Sequence, residues 1–331
     1  MRVAQFSIIE PFKQNLEGIQ NQLFKDQIRM STGKEIVGLG DSPDKIPDIK
    51  KLSSLITQNN DYMTILDDQL SQFQQSETSL QGISDNMEKI RQIAVDGTQV
   101  GNMGNLSVLA NYVKGIITDI IRNANADYNG SFLFAGTKTK ASSFDPSIPN
   151  TNDMPFELVE GTPTSNNPSG LQVVFKGNQN AKIINKDQGT SELVNTTSEE
   201  IFGKNGTEAF DSLINLYNVL AYRSDGQPRQ STDVLTTDEV NTLNKYQTQI
   251  AGFSNQINQV ISRNGGRSNR LQILHDQINE ENTRLSEYLS TKQDTDFAKT
   301  SLDLSKDQYS LQYALQVGAK TLQTSLLDFL K

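Results

Sequence analysis

From Leu52 onward the apolar residues recur at alternating steps of three and four, through Leu55, Tyr62, Leu66, Phe73, Leu80, Ile83, Met87, Ile90 and Ala94. That spacing is a heptad seam, the mark of helices packed side by side. Asn59, Gln69 and Ser76 interrupt the seam, but all are uncharged, so no bare charge is forced into it. About 45 residues of such helix would span roughly 65 to 70 Å, far more than one compact domain needs. Gly97, Gly101 and Gly104 end the stretch. A second amphipathic segment follows, with Leu106, Leu109, Val113, Ile116, Ile117, Ile120 and Ile121 on one broad face, and the two predict an antiparallel helix pair.

Upstream, Phe12, Leu16, Ile19, Leu23 and Met30 are spaced for one face of a first helix running from about Phe12 to Met30, with Pro11 in its first turn. Ser31 to Asp44 reads as a loop containing Gly33, Gly38 and Gly40. Ser42 and Pro43 look like a cap and first helical residue, but Pro47 would clash inside a helix, so the long helix is expected to begin at Pro47. From Asn129 to about Thr237 the texture changes: six of the nine prolines fall there, among many Gly, Asn, Ser and Thr. Phe132 to Ala135, Phe156 to Val159, Leu171 to Phe175 and Ala181 to Ile184 are strand candidates. Phe210, Leu213, Ile214, Tyr217, Leu220 and Ala221 mark a helix ended near Gly226. Helical periodicity returns with a capping-box pair, Thr236 and Glu239, and runs through Leu243, Tyr246, Ile250, Phe253, Ile257 and Ile261. Gly265 and Gly266 are expected to break or bend it. A last pattern carries Leu271, Leu274, Ile278, Leu285 and Leu289, then Leu311, Leu315, Ala319, Leu322, Leu326 and Phe329.

The expected fold is mainly α with a β-rich insertion. Both chain ends form a long antiparallel helical bundle or coiled-coil rod, and the middle is a small α+β or β domain. The expected division is an N-terminal assembly helix and loop over 1–40, the N-terminal half of the rod over 41–130 and an exposed middle domain over 131–236. The C-terminal half of the rod then covers 237–290 and a C-terminal assembly helix 291–331.

Composition narrows the function. Only 35% of the 331 residues are hydrophobic and 7% aromatic, with no Trp, so apolar contacts must lie in narrow seams. Thirty Lys and Arg against 39 Asp and Glu give a net charge of −9, without a basic run. Nucleic acid and anionic membranes are therefore poor partners. No stretch approaches the roughly 18 apolar residues of a membrane span, and the opening MRVAQFSIIEPFKQ lacks the apolar core and cleavage site of a signal peptide. The absence of cysteine excludes disulfides, thiolate catalysis and Cys-ligated zinc.

Both ends are apolar where chain ends are usually polar. Ile8, Phe12, Leu326, Leu327, Phe329 and Leu330 would contribute on the order of 10 kcal/mol on full burial, at roughly 1.5 to 3 kcal/mol each, before ordering costs. These residues, with Leu16, Leu23, Leu315 and Leu322, are the candidate contacts between subunits. Leu66, Phe73, Leu80, Leu243 and Ile250 read instead as packing within the chain.

Candidate chemistry is sparse. Ser31 and Lys34 have a Ser-x-x-Lys spacing, but the Ser-Asp-Asn and Lys-Thr-Gly elements of serine acyl-enzymes are absent. Gly33 and Lys34, with Gly38 and Gly40, fit neither phosphate-binding glycine pattern. His275 is the only histidine and has no second His or Cys to share a metal. The pairs Asp67 with Asp68 and Glu280 with Glu281 diverge by about 100° on a helix and read as solvated faces. Asn-x-Ser/Thr sequons at Asn105, Asn129, Asn195 and Asn205 are expected by chance in an Asn-rich chain. No catalytic residue, metal site or cofactor is expected.

The run NANADYNGSFLFAGTKTKASSF, Asn123 to Phe144, resembles the segment that closes the N-terminal helical region in the hook-associated protein 3 family, the hook-filament junction proteins of bacterial flagella. QIRMSTGKEIVGLGDSP at Gln27 to Pro43, QQSETSLQGISDNMEKIRQIAVDGT at Gln74 to Thr98 and the closing DTDFAKTSLDLSKDQYSLQYALQVGAKTLQTSLLDFLK are similar to the same family. Flagellins share the terminal plan, but usually carry an SSG-containing loop and a DDAAG-type turn where this chain reads STGKEIVGLGDSPDK. The chain departs from the family at Ser42, where a second acidic residue is common, and at the additional Pro47.

The resemblance implies a structural subunit, exported unfolded by the flagellar type III apparatus without a cleavable signal and located outside the cell. Its termini would order on assembly. It also implies a self-assembled ring, with hook-associated protein 1 on the hook side, flagellin on the filament side and a cytoplasmic export chaperone beforehand. The alternatives are a flagellin filament subunit and a secreted enzyme with a site in residues 145–237, where no convergent polar constellation stands out.

Overall fold

The structure is a computed structural model that describes residues 2–38, 40–99, 105–140, 153–187 and 190–329. Its elements in chain order are α1 (Arg2–Thr32), α2 (Ile46–Thr98), α3 (Leu106–Ala124), β1 (Asp127–Tyr128), β2 (Ser131–Phe132), β3 (Phe156–Glu160), β4 (Leu171–Phe175), β5 (Ile183–Asp187) and β6 (Thr190–Leu193). Then come α4 (Ser198–Phe202), α5 (Glu208–Ala221), α6 (Thr237–Gln293) and α7 (Phe297–Phe329). This is the expected fold class: long helices from both ends of the chain and short strands between them.

Several local expectations are corrected. Helix α1 starts well before Phe12 and carries Pro11 inside it. A proline removes one backbone donor, and the rest of a helix 31 residues long sustains the run. Helix α6 runs unbroken through Gly265 and Gly266, because Val260, Asn264, Arg267 and Leu271 on either side are buried and hold it. Phe132 to Ala135 is not a strand: pairing ends at Phe132, and Phe134 and Ala135 turn into the core. Strand β5 begins at Ile183 rather than Ala181, and β1, β6 and α4 were not anticipated. Elements of two to five residues carry too little periodicity to announce themselves.

The chain forms two compact units: Tyr62–Asp276, and Met1–Asp61 together with Gln277–Lys331. In the first, α2 and α3 are antiparallel, since Gly82 lies against Asn123 while Gly97 lies against Leu106 and Leu220. Helix α6 returns along α2, with His275 beside Asp67, Ser254 beside Ser84 and Leu243 beside Gly97. Leu80, Ile83, Met87 and Ile90 meet Val113, Ile117 and Ile120 of α3, Leu213 and Leu220 of α5, and Leu243, Ile250 and Ile257 of α6 in one core.

The strands pair as three separate antiparallel ribbons, β1 with β2, β3 with β4 and β5 with β6. A lone two-stranded ribbon is marginal in water, so each borrows stability from the helices. In β3 and β4 the register pairs Phe156 with Phe175 and Glu160 with Leu171. Phe156, Leu171 and Val173 enter the helical core, where the Phe156 ring lies 5.3 Å from Phe202 and 5.8 Å from Phe210. Asn125, just past α3, clamps the ribbon: its amide donates to the Phe156 carbonyl at 2.8 Å and accepts from the Phe156 N–H at 2.9 Å. The segment after β6 is tied to α2 and α6 by polar bonds. Gln69 donates to the Val194 carbonyl, and the buried Arg267 donates to the Asn195 carbonyl at 3.2 Å and to Asn264 at 3.3 Å.

Candidate assembly surface

The second unit contains most of the residues singled out for contact between subunits. Helix α1 ends at Thr32, and Gly33 takes a left-handed φ of 71°, closing the turn as only glycine does without steric cost. The chain then runs beside the α6–α7 junction: the Glu35 N–H donates to the Gln293 carbonyl at 2.8 Å and the Thr295 N–H to the Gly33 carbonyl at 2.9 Å. Asp41 accepts from the N–H groups of Gly38 and Val37. These two bonds hold its carboxyl below the usual carboxylate range. Two more ties come from polar pairs on α2 and α6, Asn282 donating to Asn60 at 2.7 Å and Lys292 standing 3.7 Å from Asp48.

Past that turn α1 and α7 are antiparallel. Phe297 packs on Gly33 at one end, and the Phe12 ring lies over Gly318 at the other. A Cβ at Gly318 would come within 2.5 Å of that ring, so the absence of a side chain permits the contact. The facing residues follow the 4-3 rhythm on both helices. On α1 they are Phe12, Leu16, Ile19, Leu23, Asp26 and Met30. On α7 they are Thr300, Leu304, Asp307, Leu311, Ala314 and Gly318, all at least half-buried. Phe12, Leu16 and Leu23 therefore already pack within their own chain. Leu315 lies off the seam and is exposed. Side chains of Ile8, Leu322, Leu326, Leu327 and Phe329, and all of Leu330, lie outside the described residues.

The sequence reading missed a second apolar stripe on α7. Leu302, Tyr309 and Tyr313, at steps of seven and four, are each about two-thirds exposed, and Phe24 on α1 is 62% exposed. Attention to the single best seam hid them; reading α7 for two faces would have exposed them, because one helix can offer apolar residues both to its own partner and outward.

The remaining candidates are placed as follows. Ser31 donates to the Ile28 carbonyl, and Lys34 forms an isolated antiparallel bridge with Asp294. His275 stands 3.4 Å from both Asp67 and Asp276, linking α2 to α6. Among the described residues no group of three or more acidic or His side chains is placed to hold a metal, and no helix is long and apolar enough to cross a membrane.

Comparison with known proteins agrees with the sequence resemblance. Residues 10–139 match the family model of the bacterial flagellin N-terminal helical region. Flagellar hook-associated protein 3 of Salmonella typhimurium is 28% identical over 139 residues, 40% of this chain and 44% of that protein, so the match spans under half of the relative's length. A solved structure described as that of a flagellar hook-associated protein from Vibrio parahaemolyticus covers 77% of this chain and 100% of its own, with a TM-score of 0.60 at 18% identity. Flagellar hook associated protein-3 from Legionella pneumophila covers 74% of this chain and 98% of its own, with a TM-score of 0.53 at 12% identity. At such identities the structures show a shared fold. The resemblance to hook-associated protein 3 is borne out by sequence and fold together.

Proposed function

We propose that this chain is a non-catalytic structural subunit of the bacterial flagellum, forming an adaptor ring at the hook-filament junction. Hook-associated protein 1 would lie on the hook side, and flagellin on the filament side would be templated by the ring. Before assembly the chain would be held by a cytoplasmic export chaperone and then exported to the cell exterior. Residues 1–40 and 291–331 serve as assembly segments, 41–130 and 237–290 as the two halves of the rod, and 131–236 as the exposed middle. The observation that carries this reading is the double-faced helix α7: one face is consumed by α1, while Leu302, Tyr309 and Tyr313 stay exposed beside it. Burying that stripe and the apolar residues from Leu322 to Leu330 against neighbours supplies the drive for assembly. Ile8, Phe12, Leu16, Leu23 and Leu315 complete the contact set.

The test replaces Tyr309 and Tyr313 together by Ser in a strain lacking the native gene. Cells are expected to build hooks, shed unassembled flagellin and lack attached filaments. Wild-type swimming with normal filaments would sink the junction reading. A flagellin subunit is the second reading, because the matched region is shared by flagellins. It requires the purified protein to polymerise into long filaments, whereas a junction adaptor is expected to stop at short or ring-sized assemblies.

A further inference from the structure

Asn-Gly pairs occur at three places in the chain: Asn129 with Gly130, Asn205 with Gly206 and Asn264 with Gly265. Glycine has no side chain to shield its own nitrogen, so at such a pair that nitrogen can attack the carbonyl carbon of the asparagine side chain. The fold gives the three pairs different surroundings. Asn264 is 2% exposed, and its Oδ1 accepts from Thr196 at 3.0 Å and from Arg267 at 3.3 Å. Gly265 stands inside α6, with its N–H in the helical ladder. Asn205 is exposed, but the Gly206 N–H donates to the Gly203 carbonyl at 2.9 Å. Gly206 is also buried and crowded, so that a Cβ there would collide with Ser198 Oγ. Asn129 and Gly130, with φ of 51° and 75°, form the two-residue turn of the β1–β2 ribbon, in which Tyr128 pairs with Ser131. Both are exposed, and the space where a Cβ on Gly130 would stand is open to 4 Å. The Gly130 N–H donates to a carboxylate, Asp127 Oδ2, at 3.0 Å.

We propose that Asn129 is a site of spontaneous covalent modification, converting to aspartate and isoaspartate in the folded protein, with Asp127 as the base that receives the Gly130 amide proton. A base at hydrogen-bond distance from the attacking nitrogen is already in place. The Gly130 nitrogen forms a bond to Asn129 Cγ as the bond from Cγ to the side-chain nitrogen breaks. The proton taken by Asp127 passes to the departing nitrogen, which leaves as ammonia, and a cyclic imide remains. Water then opens the ring at one of two carbonyls. Opening at Cγ restores the main chain with an aspartate, and opening at the main-chain carbonyl routes the chain through Cβ as isoaspartate. Nothing is oxidised or reduced, and water is the sole co-reactant. Either product sets a second carboxylate in the turn that holds Asp127. Isoaspartate also adds one carbon to a main chain whose turn length fixes the pairing of Tyr128 with Ser131. The reaction needs neither an enzyme nor an assembly partner and stands whether or not the junction reading holds.

The experiment incubates the purified full-length chain near neutral pH, with a parallel sample unfolded in urea, and follows each Asn-Gly peptide by mass spectrometry. Enzymatic methylation of isoaspartyl groups counts the isoaspartate product. In urea all three pairs are expected to convert, because the reaction belongs to the dipeptide. In the folded chain conversion is expected at Asn129, with the amides of Asn205 and Asn264 intact over the same period. Asp127→Asn keeps an acceptor for the Gly130 N–H but removes the base. It is expected to slow conversion at Asn129 several-fold in the folded chain and to leave the rate in urea unchanged, a difference that a role in the turn alone would not produce. Three results would each overturn the proposal: an intact Asn129 in the folded chain once the urea sample has converted, Asn205 or Asn264 converting in step with it, or a folded-state rate in Asp127→Asn equal to wild type. Protected amides in α3 and α5 report that the variant is folded.

Discussion

At the scale of single residues, the determinants of the larger unit are apolar volume and close backbone approach. The Phe202 and Phe210 rings lie 4.6 Å apart, both fully buried, and Phe156 touches both. Phe210→Ala leaves a cavity that the surrounding helices cannot close, and is expected to cost about 3 to 5 kcal/mol in urea denaturation followed by far-UV circular dichroism. Gly136 has a φ of 69°, and a Cβ there would meet the Asn178 carbonyl oxygen at 2.1 Å. Gly136→Ala combines a left-handed backbone penalty of about 1 to 2 kcal/mol with a backbone collision. It should lower the melting temperature by several degrees and raise exchange around 134–140 and 176–180. None of these partners was legible in the sequence. Phe202 and Phe210 are apolar on any reading, but Phe156, which touches both, lies more than 40 residues away in the chain.

At the scale of elements, α6 carries two opposed lessons. Its start was readable: the Thr236 N–H donates to Glu239 at 2.8 Å and the Glu239 N–H to Thr236 Oγ1 at 3.3 Å, as the capping-box spacing predicts. The structure adds Arg229, whose guanidinium lies 2.7 Å from Glu239 and donates to the Val219 carbonyl near the end of α5. Burial alone would raise the Glu239 pKa. The Thr236 and Ser224 hydrogen bonds and the charge of Arg229 outweigh it and leave the carboxyl below its ordinary 4.5. A depressed folded-state pKa stabilises above 4.5 and fades as pH falls through the lowered value. Acid should therefore loosen the α5–α6 connection. Glu239→Gln should remove that acid sensitivity, as read by amide exchange in residues 219–240. The second lesson is Gly265 and Gly266. Both are exposed in the helix interior, with nothing near the position of an added Cβ. Replacing both by Ala should stabilise α6 by about 1 to 2 kcal/mol in the same denaturation assay, because alanine is the better helix former by about 1 kcal/mol per site.

At the scale of the whole molecule, the prediction concerns the assembly segments. Deleting Ser325 to Lys331 removes no residue of the core built from α2, α3, α5 and α6, so that core should keep its thermal transition while filament attachment is lost in cells. A truncated chain that still attaches normal filaments would count against assigning contact to Leu326, Leu327, Phe329 and Leu330. What the sequence by itself determined is the helical plan, because a 3-4 repeat sustained over dozens of residues has only one regular structure that satisfies it. It also determined the position of the irregular middle and the seam of α1, and its motifs carried the family resemblance that the comparisons bear out. Only the tertiary structure decided which seam belongs to which partner. Periodicity specifies a face but not the element that covers it. Phe12 settling on Gly318, and Tyr309 and Tyr313 remaining exposed, each depend on pairing residues about 300 positions apart or on its failure to reach them. Such pairing is fixed by the summed burial and polar satisfaction of the folded chain, and no local stretch of residues contains it.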